Sequence, residues 1–314
     1  MKSLDWNGIY SAMLTPMTHT DTIDYAMLKH NIDVQIEAGV HGLIFGGSLG
    51  EASTLAFDER NELLIHAKNY AGGRVPVLIN IAEQTIRDAI KVANHAELNG
   101  AEGLMLLPPM RYKSDEAETM HYFQTVAENT SLPIMIYNNP YDYKIEVTLK
   151  MFDILAKNPQ IQAIKESTRD TSNVTRIRNH FKNRFKILCG VDTLAIEELA
   201  LGADGWVGGL VDAFPHETVA IYHLMKRGQY DVALKIFQWF FPLLELDIHP
   251  KFVQYIKLAA SINGMCNEEV RAPRMKLKGT ERDEILAVIH KALDARHEIL
   301  PYMKYHMAAE SIGS

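Results

Sequence analysis

The sequence predicts an α/β fold, a closed (β/α)8 TIM barrel followed by a C-terminal helical domain. Eight short apolar runs recur along the chain, and segments with helical spacing separate them. Continuous apolar strands alternating with amphipathic helices are typical of a parallel sheet covered on both faces, and a count of eight points to a closed barrel. A doubly wound open sheet is the alternative. It is disfavoured because the first run is not followed by GxGxxG, and neither GxxxxGKS nor GxxxxGKT occurs in the chain.

The predicted strands are the apolar runs themselves, at residues 8–14, 42–47, 76–82, 103–108, 133–139, 161–167, 185–191 and 202–209. Between them, apolar residues at three- and four-residue spacing predict helices at 25–38, 58–70, 86–98, 115–128 and 148–156. Most of these helices are preceded or opened by a capping type of residue, such as Asp24, Asp58 or Ser114.

The strand signal stops after about Thr218, and the rest of the chain has helical spacing at residues 219–226, 230–246, 251–262 and 281–295. The segment 268–279, which contains Pro273, is predicted to be a loop. We therefore divide the chain into a barrel that carries the active site, 1–224, and a helical domain, 225–314. No low-complexity linker separates the two, so the helices are expected to pack on the barrel.

The bulk composition is that of an ordinary globular protein, with 314 residues, 47% hydrophobic and 23% charged. A formal net charge of -7 argues against a nucleic-acid partner, because neutralising phosphates needs clustered Lys and Arg. Two cysteines cannot build a disulfide framework, and the N-terminus lacks the apolar core of a signal peptide. No stretch approaches the roughly 18 apolar residues of a membrane span. The composition predicts a cytoplasmic protein without a membrane or nucleic-acid partner.

The candidate catalytic residues are Tyr137 and Lys165, which end the fifth and sixth runs. Active sites of such barrels lie at the carboxyl ends of the strands, and alternate residues of a strand share one face. If those faces point inward, the amine and the phenol converge on one cavity. Burial disfavours an ammonium, so Lys165 becomes a nucleophile towards carbonyls, and a phenol can move the protons of that reaction. A structural ion pair of Lys165 with a neighbouring carboxylate is the alternative.

The loop GGSLGE after the second run is the candidate binding site for a substrate carboxylate, through Gly47, Ser48 and Leu49. Glycines allow close backbone approach, and consecutive amides with a hydroxyl form an anion-binding nest. A tight turn into the next helix would give the same pattern. Further predicted substrate contacts at the ends of the later strands are Asn139, Ser167, Gly190, Asp192 and Gly208.

The motifs GGSLGE, IYNNP, AIKES and GVDTLAIEELALGADGWVGGLVDAFP, in this order, resemble the dihydrodipicolinate synthase and N-acetylneuraminate lyase family over essentially the whole chain. The resemblance implies a (β/α)8 barrel with a C-terminal helical domain, usually a homotetramer. It also implies a lysine imine with a 2-oxo acid, without metal or other cofactor. Carried over to this chain, Lys165 forms the imine, Tyr137 shuttles protons, and Ser48 with the loop amides holds the substrate carboxylate.

Departures from the synthase pattern narrow the expected function. Synthases have a threonine pair where this chain has Ser48 and Leu49, and an arginine where it has Asp142. Their paired tyrosines after the fourth strand are replaced by Met110 and Arg111, with Tyr112 displaced by one position. A second substrate carboxylate would be repelled by Asp142, so the pattern points away from lysine biosynthesis.

One combination of motifs looks most like the branch that contains 1-pyrroline-4-hydroxy-2-carboxylate deaminases of hydroxyproline catabolism: GGSLGE, PPMRYKSD, YNNPYDY, GVDTLAIEELALGADGWV and WFFPLLELDIHPKFVQYIKLA. That resemblance implies a small 2-oxo or 2-imino acid substrate, with 2,5-dioxopentanoate and ammonia as products. Two alternatives stay open. One is a 2-oxo acid aldolase or lyase, namely a dihydrodipicolinate synthase, an N-acetylneuraminate lyase or an aldolase of 2-keto-3-deoxy sugar acids. The other is a non-catalytic binding barrel, which the fold alone does not exclude.

Overall fold

Eight parallel strands close into a barrel in a computed structural model that describes residues 4–307. The strands are β1 Gly8–Ala12, β2 Gly42–Phe45, β3 Val77–Ile81, β4 Gly103–Leu106, β5 Ile134–Asn138, β6 Ile161–Glu166, β7 Lys186–Cys189 and β8 Gly205–Gly208. They follow one another around the barrel in chain order, and β8 pairs with β1. The predicted (β/α)8 barrel is confirmed.

Helices cover the outside of the barrel and continue beyond β8. They are α1 Tyr25–Glu37, α2 Phe57–Ala71, α3 Ile86–Leu98, α4 Glu116–Glu128, α5 Pro140–Tyr143, α6 Leu149–Leu155, α7 Ser172–Phe181, α8 Ala195–Ala200, α9 Pro215–Lys226, α10 Tyr230–Leu244, α11 Phe252–Ile262, α12 Gly279–Ala295 and α13 Leu300–Met307. Within residues 4–307, no helix combines the length and the apolar character needed to cross a lipid bilayer.

Apolar side chains fill the barrel in layers, because successive residues of each strand point alternately inward and outward. The inward-facing layers are formed by Tyr10, Ile44, Leu78, Met105, Met135, Ala163, Leu188 and Val207. Trp6 stacks on Tyr10, with ring centroids 5.7 Å apart, and adds to this inner cluster ahead of β1. The outward-facing residues belong to a larger apolar cluster shared with the surrounding helices.

The capping residues of two helices and the start of α9 differ from the sequence prediction. Asp24 caps α1 by accepting from the Met27 amide, as expected, but α4 is capped by Asp115 rather than by Ser114. Asp58 lies inside the first turn of α2. Helix α9 begins at Pro215, four residues before the predicted start, because a proline is tolerated in the first turn, where its missing N–H has no intrahelical partner.

The helices after β8 pack against the barrel, as the absence of a linker predicts. Helix α9 contacts β1 and β8 and also packs on α10 and α13. The predicted domain boundary between residues 224 and 225 falls within α9, and the division into two domains stays a prediction. The chain ends of the two predicted domains, 1–3 and 308–314, lie outside the described residues.

Candidate active site

Tyr137 and Lys165 lie side by side at the carboxyl ends of β5 and β6, where they are register partners. Each is two residues beyond an inward-facing residue of its strand, Met135 or Ala163, so both side chains enter the barrel mouth. The Lys165 Nζ atom lies 4.1 Å from the centroid of the Tyr137 ring. Both residues are buried, with 7% and 8% of their surface exposed. The amine and the phenol therefore meet, as strand alternation predicts.

Gly190, which follows β7, gives the Lys165 side chain its space. A Cβ atom at position 190 would lie 2.7 Å from both Cγ and Cε of Lys165, and 2.1 Å from Oγ of Ser167. Carbon atoms in ordinary contact are about 3.5–4.0 Å apart. Any larger residue at position 190 would displace the lysine or the serine, so this glycine fixes the path of the lysine into the cavity.

The pKa of Lys165 is lowered from its ordinary value, mainly because burial disfavours the charged ammonium. Tyr143, Asp247 and Asp192 oppose this effect electrostatically. Among residues 4–307, no carboxylate forms an ion pair with Lys165, in contrast to Lys257, which pairs with Glu51. Within the described part of the chain, Lys165 therefore has no structural ion pair. Because its pKa is lowered, a larger fraction of its amine is uncharged at neutral pH than in an exposed lysine.

The GGSLGE loop presents a hydroxyl and unused backbone amides beside the two tyrosines of the site. Ser48 Oγ and the Tyr143 phenol are 2.6 Å apart. Within the part of the chain that the structure describes, the amides of Ser48 and Leu49 donate to no protein acceptor. Consecutive free amides of this kind can bind a carboxylate, and the carboxylate contact at this loop stays a prediction.

Tyr143 is a second phenol in the site, and the sequence analysis gave it no role. Its ring packs edge-on against Tyr137, with centroids 5.5 Å apart and planes at 84°. Burial raises the pKa of both phenols above their ordinary value. Both phenols are therefore protonated at neutral pH, and the Ser48 hydroxyl bonded to Tyr143 extends this set of exchangeable protons towards the loop.

Asn139 fixes the geometry around Tyr137. Its Nδ2 atom donates to the Tyr137 hydroxyl at 3.1 Å and to Oδ2 of Asp142 at 2.7 Å, while its Oδ1 atom accepts from the Asp142 amide. Asn139 is also the residue that caps the short helix α5. The Asn139 side chain already bonds to Tyr137 and Asp142. The substrate contact predicted for Asn139 would therefore have to form in addition to these hydrogen bonds.

A cavity of about 450 Å³ lies above these residues and has the size of a small-molecule site. Of the residues predicted to touch the substrate, its walls include Gly47, Ser48, Leu49, Asn139, Ser167 and Gly190, together with Lys165 and Tyr137. Asp192 and Gly208 are not among its lining residues, and Gly209 takes the place of Gly208.

Asp192 faces the end of β8 instead of the cavity. Its carboxylate accepts hydrogen bonds from Trp206 Nε1 at 2.8 Å and from the Leu210 amide at 2.8 Å, and also from the Gly209 amide. Sequence placed Asp192 correctly at the end of β7 but could not show that a tryptophan and two amides occupy its oxygens. Its position gives no support to a direct contact with the substrate.

Arg169 and Asp247 also line the cavity, and the sequence analysis missed both. Arg169 follows β6, has a positive φ of 62°, and stacks its guanidinium 3.4 Å from the centroid of the Tyr141 ring. Asp247 lies in a 3₁₀ turn, Glu245–Ile248, after α10. The TRD sequence after Lys165 was a local signal for Arg169. No local signal identified Asp247, which reaches the site from the C-terminal helices.

Comparison with known proteins shows which family the chain is similar to. The model described as the dihydrodipicolinate synthetase family matches residues 5–292. The 4-hydroxy-tetrahydrodipicolinate synthase of Exiguobacterium sibiricum is 31% identical over 275 residues, which cover 87% of this chain and 92% of that protein. The enzyme of the same name from Aquifex aeolicus is 27% identical over 290 residues, covering 91% of this chain and 97% of its own length.

Solved structures give the same result for the fold. Dihydrodipicolinate synthase from Aquifex aeolicus superposes with a TM-score of 0.87 at 26% identity, covering 91% of this chain and 98% of that one. YagE, a prophage protein of the dihydrodipicolinic acid synthase family from E. coli K12 whose crystal structure is a complex with pyruvate, superposes with a TM-score of 0.87 at 27% identity. That match covers 92% of this chain and 99% of YagE.

Proposed function

The chain belongs to the dihydrodipicolinate synthetase family, whose members are class I lyases, and from this membership we propose that it converts 1-pyrroline-4-hydroxy-2-carboxylate to 2,5-dioxopentanoate and ammonia. In this proposal Lys165 forms the imine with the substrate, and Tyr137 moves protons. One observation carries it: Lys165 is buried against the Tyr137 ring without a carboxylate partner among the described residues. A lysine held in this way is suited to covalent chemistry with a carbonyl or an imine carbon.

The proposed reaction begins when the neutral amine of Lys165 attacks C2 of the cyclic imine. The bond between C2 and the ring nitrogen then breaks, which opens the ring and leaves a lysine imine at C2 and a primary amine at C5. The imine makes the C3 proton acidic. Loss of that proton and of the 4-hydroxyl, as water, creates a C3–C4 double bond.

Tautomerisation then turns the C5 amine into an imine, and two hydrolyses complete the turnover. One releases ammonia from C5, and the other releases 2,5-dioxopentanoate from Lys165. Two waters are consumed and one is formed, so the net reaction consumes one water. The contact of the Tyr137 ring with Lys165 and the protonated phenol at neutral pH support the proposal that Tyr137 passes protons to and from the lysine nitrogen.

The choice of substrate within the family rests on the number of carboxylates that the site could hold. The free amides of Ser48 and Leu49 suit a single carboxylate. Asp142, at the position of the synthase arginine, lines the cavity and is bonded to Asn139. A substrate with one carboxylate and a neutral ring fits this arrangement better than one with two carboxylates.

A second candidate is a 2-oxo acid aldolase that releases pyruvate. Two observations favour it. YagE, which has the same fold, was crystallised with pyruvate, and Arg169 places a cation at the cavity wall, where it could meet a polar or acidic substrate tail. Both candidates use the same lysine and differ in their product.

The experiment that tests the proposal measures ammonia and 2,5-dioxopentanoate from the purified protein given 1-pyrroline-4-hydroxy-2-carboxylate. Release of both products in equal amounts, lost in Lys165→Ala, supports the deaminase. In parallel, 2-keto-3-deoxy sugar acids are assayed for pyruvate. Pyruvate release from these, with no ammonia under saturating hydroxypyrroline carboxylate, would replace the deaminase by the aldolase.

The family resemblance also supports a homotetramer, and this assembly stays a proposal. Light scattering of the purified protein measures its mass directly. A mass close to that of the single chain of 35.5 kDa would contradict the tetramer.

A further inference from the structure

Asp247 brings a carboxyl group from the C-terminal helices into the cavity that contains Lys165. Its Oδ1 atom lies against the backbone of Gly209, where a Cβ atom would be only 2.5 Å away. The same imagined Cβ would lie 3.3 Å from a methyl group of Leu49, in the carboxylate-binding loop. The absence of a side chain at position 209 therefore leaves room for the Asp247 carboxyl beside that loop.

The Asp247 carboxyl has no hydrogen-bond partner among residues 4–303, the part of the chain whose side chains the structure describes. Asp192, in contrast, has its oxygens occupied by Trp206 and two backbone amides. A polar group that faces a cavity and is left unpaired by the protein is available to a ligand.

Four charged groups face Asp247 from the elements around it. Burial raises the pKa of Asp247 well above its ordinary range, and the carboxylates of Asp192 and Asp142 raise it further. Lys165 and Arg169 act in the opposite direction. The raised pKa favours the protonated carboxylic acid, which can donate a hydrogen bond and a proton.

We propose that Asp247 binds the 4-hydroxyl of the substrate and acts as the general acid that protonates it as the C4–O bond breaks. This inference rests on the proposed deaminase function. In the step, the C3 proton leaves to a base, the C3–H electron pair forms the C3–C4 double bond, and the C4–O pair stays on oxygen. The oxygen takes the Asp247 proton and departs as water. Asp247 is left as a carboxylate and is reprotonated from solvent.

The role is chemically necessary because hydroxide is a poor leaving group, whereas water is a good one. Tyr137 lies beside Lys165 and serves the lysine nitrogen. Asp247 comes from a different wall, next to Gly209 and Leu49. The two proton donors are thereby assigned to different atoms of the substrate.

The test compares Asp247→Asn with wild type on two substrates, the 4-hydroxy compound and its 4-chloro analogue. The hydroxyl needs a proton in order to leave, so the variant should lose about 10²- to 10⁴-fold in kcat on the hydroxy substrate, the usual contribution of a positioned acid. Chloride leaves without a proton. On the chloro analogue the variant should retain most of the wild-type rate. The alkaline limb of the wild-type pH profile, where the acid loses its proton, should also disappear in the variant.

Glu245→Gln is the matched control, because Glu245 lies exposed in the same 3₁₀ turn and the substitution likewise replaces a carboxyl group by an amide. Trapping of pyruvate on Lys165 with borohydride serves as the control for folding and imine formation in Asp247→Asn. Equal rates of Asp247→Asn and wild type on the hydroxy substrate, or equal losses on both substrates, would overturn the inference. Wild-type protein that releases no ammonia overturns the deaminase itself, a result distinct from either.

Discussion

At the scale of single residues, the site depends on how Lys165 is surrounded rather than on the lysine alone. The Tyr137 ring contacts its nitrogen, and Gly190 leaves space for its methylene groups. Strand alternation predicted that the lysine and the tyrosine would meet, because both end apolar runs that are consecutive along the chain. The opposing effects of Tyr143 and Asp247 were not predictable, since they depend on contacts between distant segments.

The lowered pKa of Lys165 predicts how its reactivity changes with pH. Because the neutral amine is the nucleophile, reactivity rises with pH and levels off once the ammonium is lost. We expect this plateau below the value of about 10.4 that is ordinary for lysine. Trace labelling with acetic anhydride across the pH range, read by peptide mass spectrometry, gives the curve, with the exposed Lys278 as internal control. Coincident curves for Lys165 and Lys278 would show that burial does not perturb the amine.

Tyr137→Phe removes the phenolic proton and leaves the ring against Lys165. We expect turnover to fall by about 10²- to 10⁴-fold, the usual loss for a positioned acid or base. Steady-state assay of the reaction established for the wild type gives kcat, and borohydride trapping verifies that Lys165 still forms the imine. Unchanged kcat would remove Tyr137 from the mechanism.

At the scale of elements, the strands and long helices follow from apolar periodicity, whereas the short elements that shape the site do not. Helix α5, Pro140–Tyr143, is a single turn and has no periodicity to detect, yet it carries Asp142 and Tyr143 into the site. The turn that holds Asp247 is similarly short. The geometry of α5 is set instead by the hydrogen bonds between Asn139 and Asp142.

Asp212 joins the elements at the closure between β1 and β8. Its buried carboxylate accepts from the Leu14 amide and Asn31 Nδ2, both at 3.0 Å, and from the Ser11 hydroxyl. Burial raises its pKa to about 7. Since the unfolded chain has the ordinary pKa near 3.8, the folded state binds more protons between the two values. The contribution of Asp212 to stability therefore decreases as pH rises through this window.

Asp212→Asn isolates this effect, because an amide keeps the size of the side chain and can still accept from Leu14 and Asn31 and donate to Ser11. The free energy of unfolding of the variant relative to wild type should increase from about pH 4 to about pH 7 and then level off. Its slope should not exceed about 1.4 kcal/mol per pH unit, the value for one proton. Urea unfolding of both proteins at a series of pH values provides the comparison. A difference independent of pH would contradict the raised pKa.

At the scale of the whole molecule, the C-terminal helices complete the active site as well as cover the barrel. Asp247, His249 and Phe252 belong to this region and line the cavity. The count of eight strand and helix units predicted the barrel, and the lack of a linker predicted the packing of the helices. Sequence could not show which residues of the helices reach the site. This depends on contacts between segments that are distant along the chain, such as that between Gly209 and Asp247, and on no local pattern.

A fully buried ion pair connects these helices to the GGSLGE loop. Lys257 of α11 donates to Glu51 Oε1 at 2.6 Å and to the Thr15 carbonyl at 2.8 Å. Glu51 ends the GGSLGE sequence, and its other oxygen accepts from the Arg271 amide at 3.0 Å. The pair therefore holds the loop from the side opposite the cavity residue Ser48.

Lys257→Met should destabilise the protein by about 3–5 kcal/mol, because it removes the ammonium 2.6 Å from the fully buried Glu51 carboxylate and leaves that charge only the Arg274 guanidinium at 3.6 Å. The double variant with Glu51→Gln should recover part of this loss. Lys276→Met, which breaks an exposed ion pair with Glu269, is the control and should change stability by about 1 kcal/mol or less. Chemical denaturation measures the free energy of unfolding of Lys257→Met, of the double variant and of Lys276→Met, each relative to wild type. A loss in Lys257→Met no larger than in the control would show that the buried pair does not hold the molecule together.

The most direct measurement of the central claim is reductive trapping of the wild-type protein. The protein is incubated with pyruvate and borohydride, digested, and analysed by peptide mass spectrometry. We predict one covalent adduct, on Lys165, which is absent when pyruvate is omitted and absent in Lys165→Ala. An unmodified Lys165, or an adduct confined to exposed lysines, would contradict imine chemistry at this site.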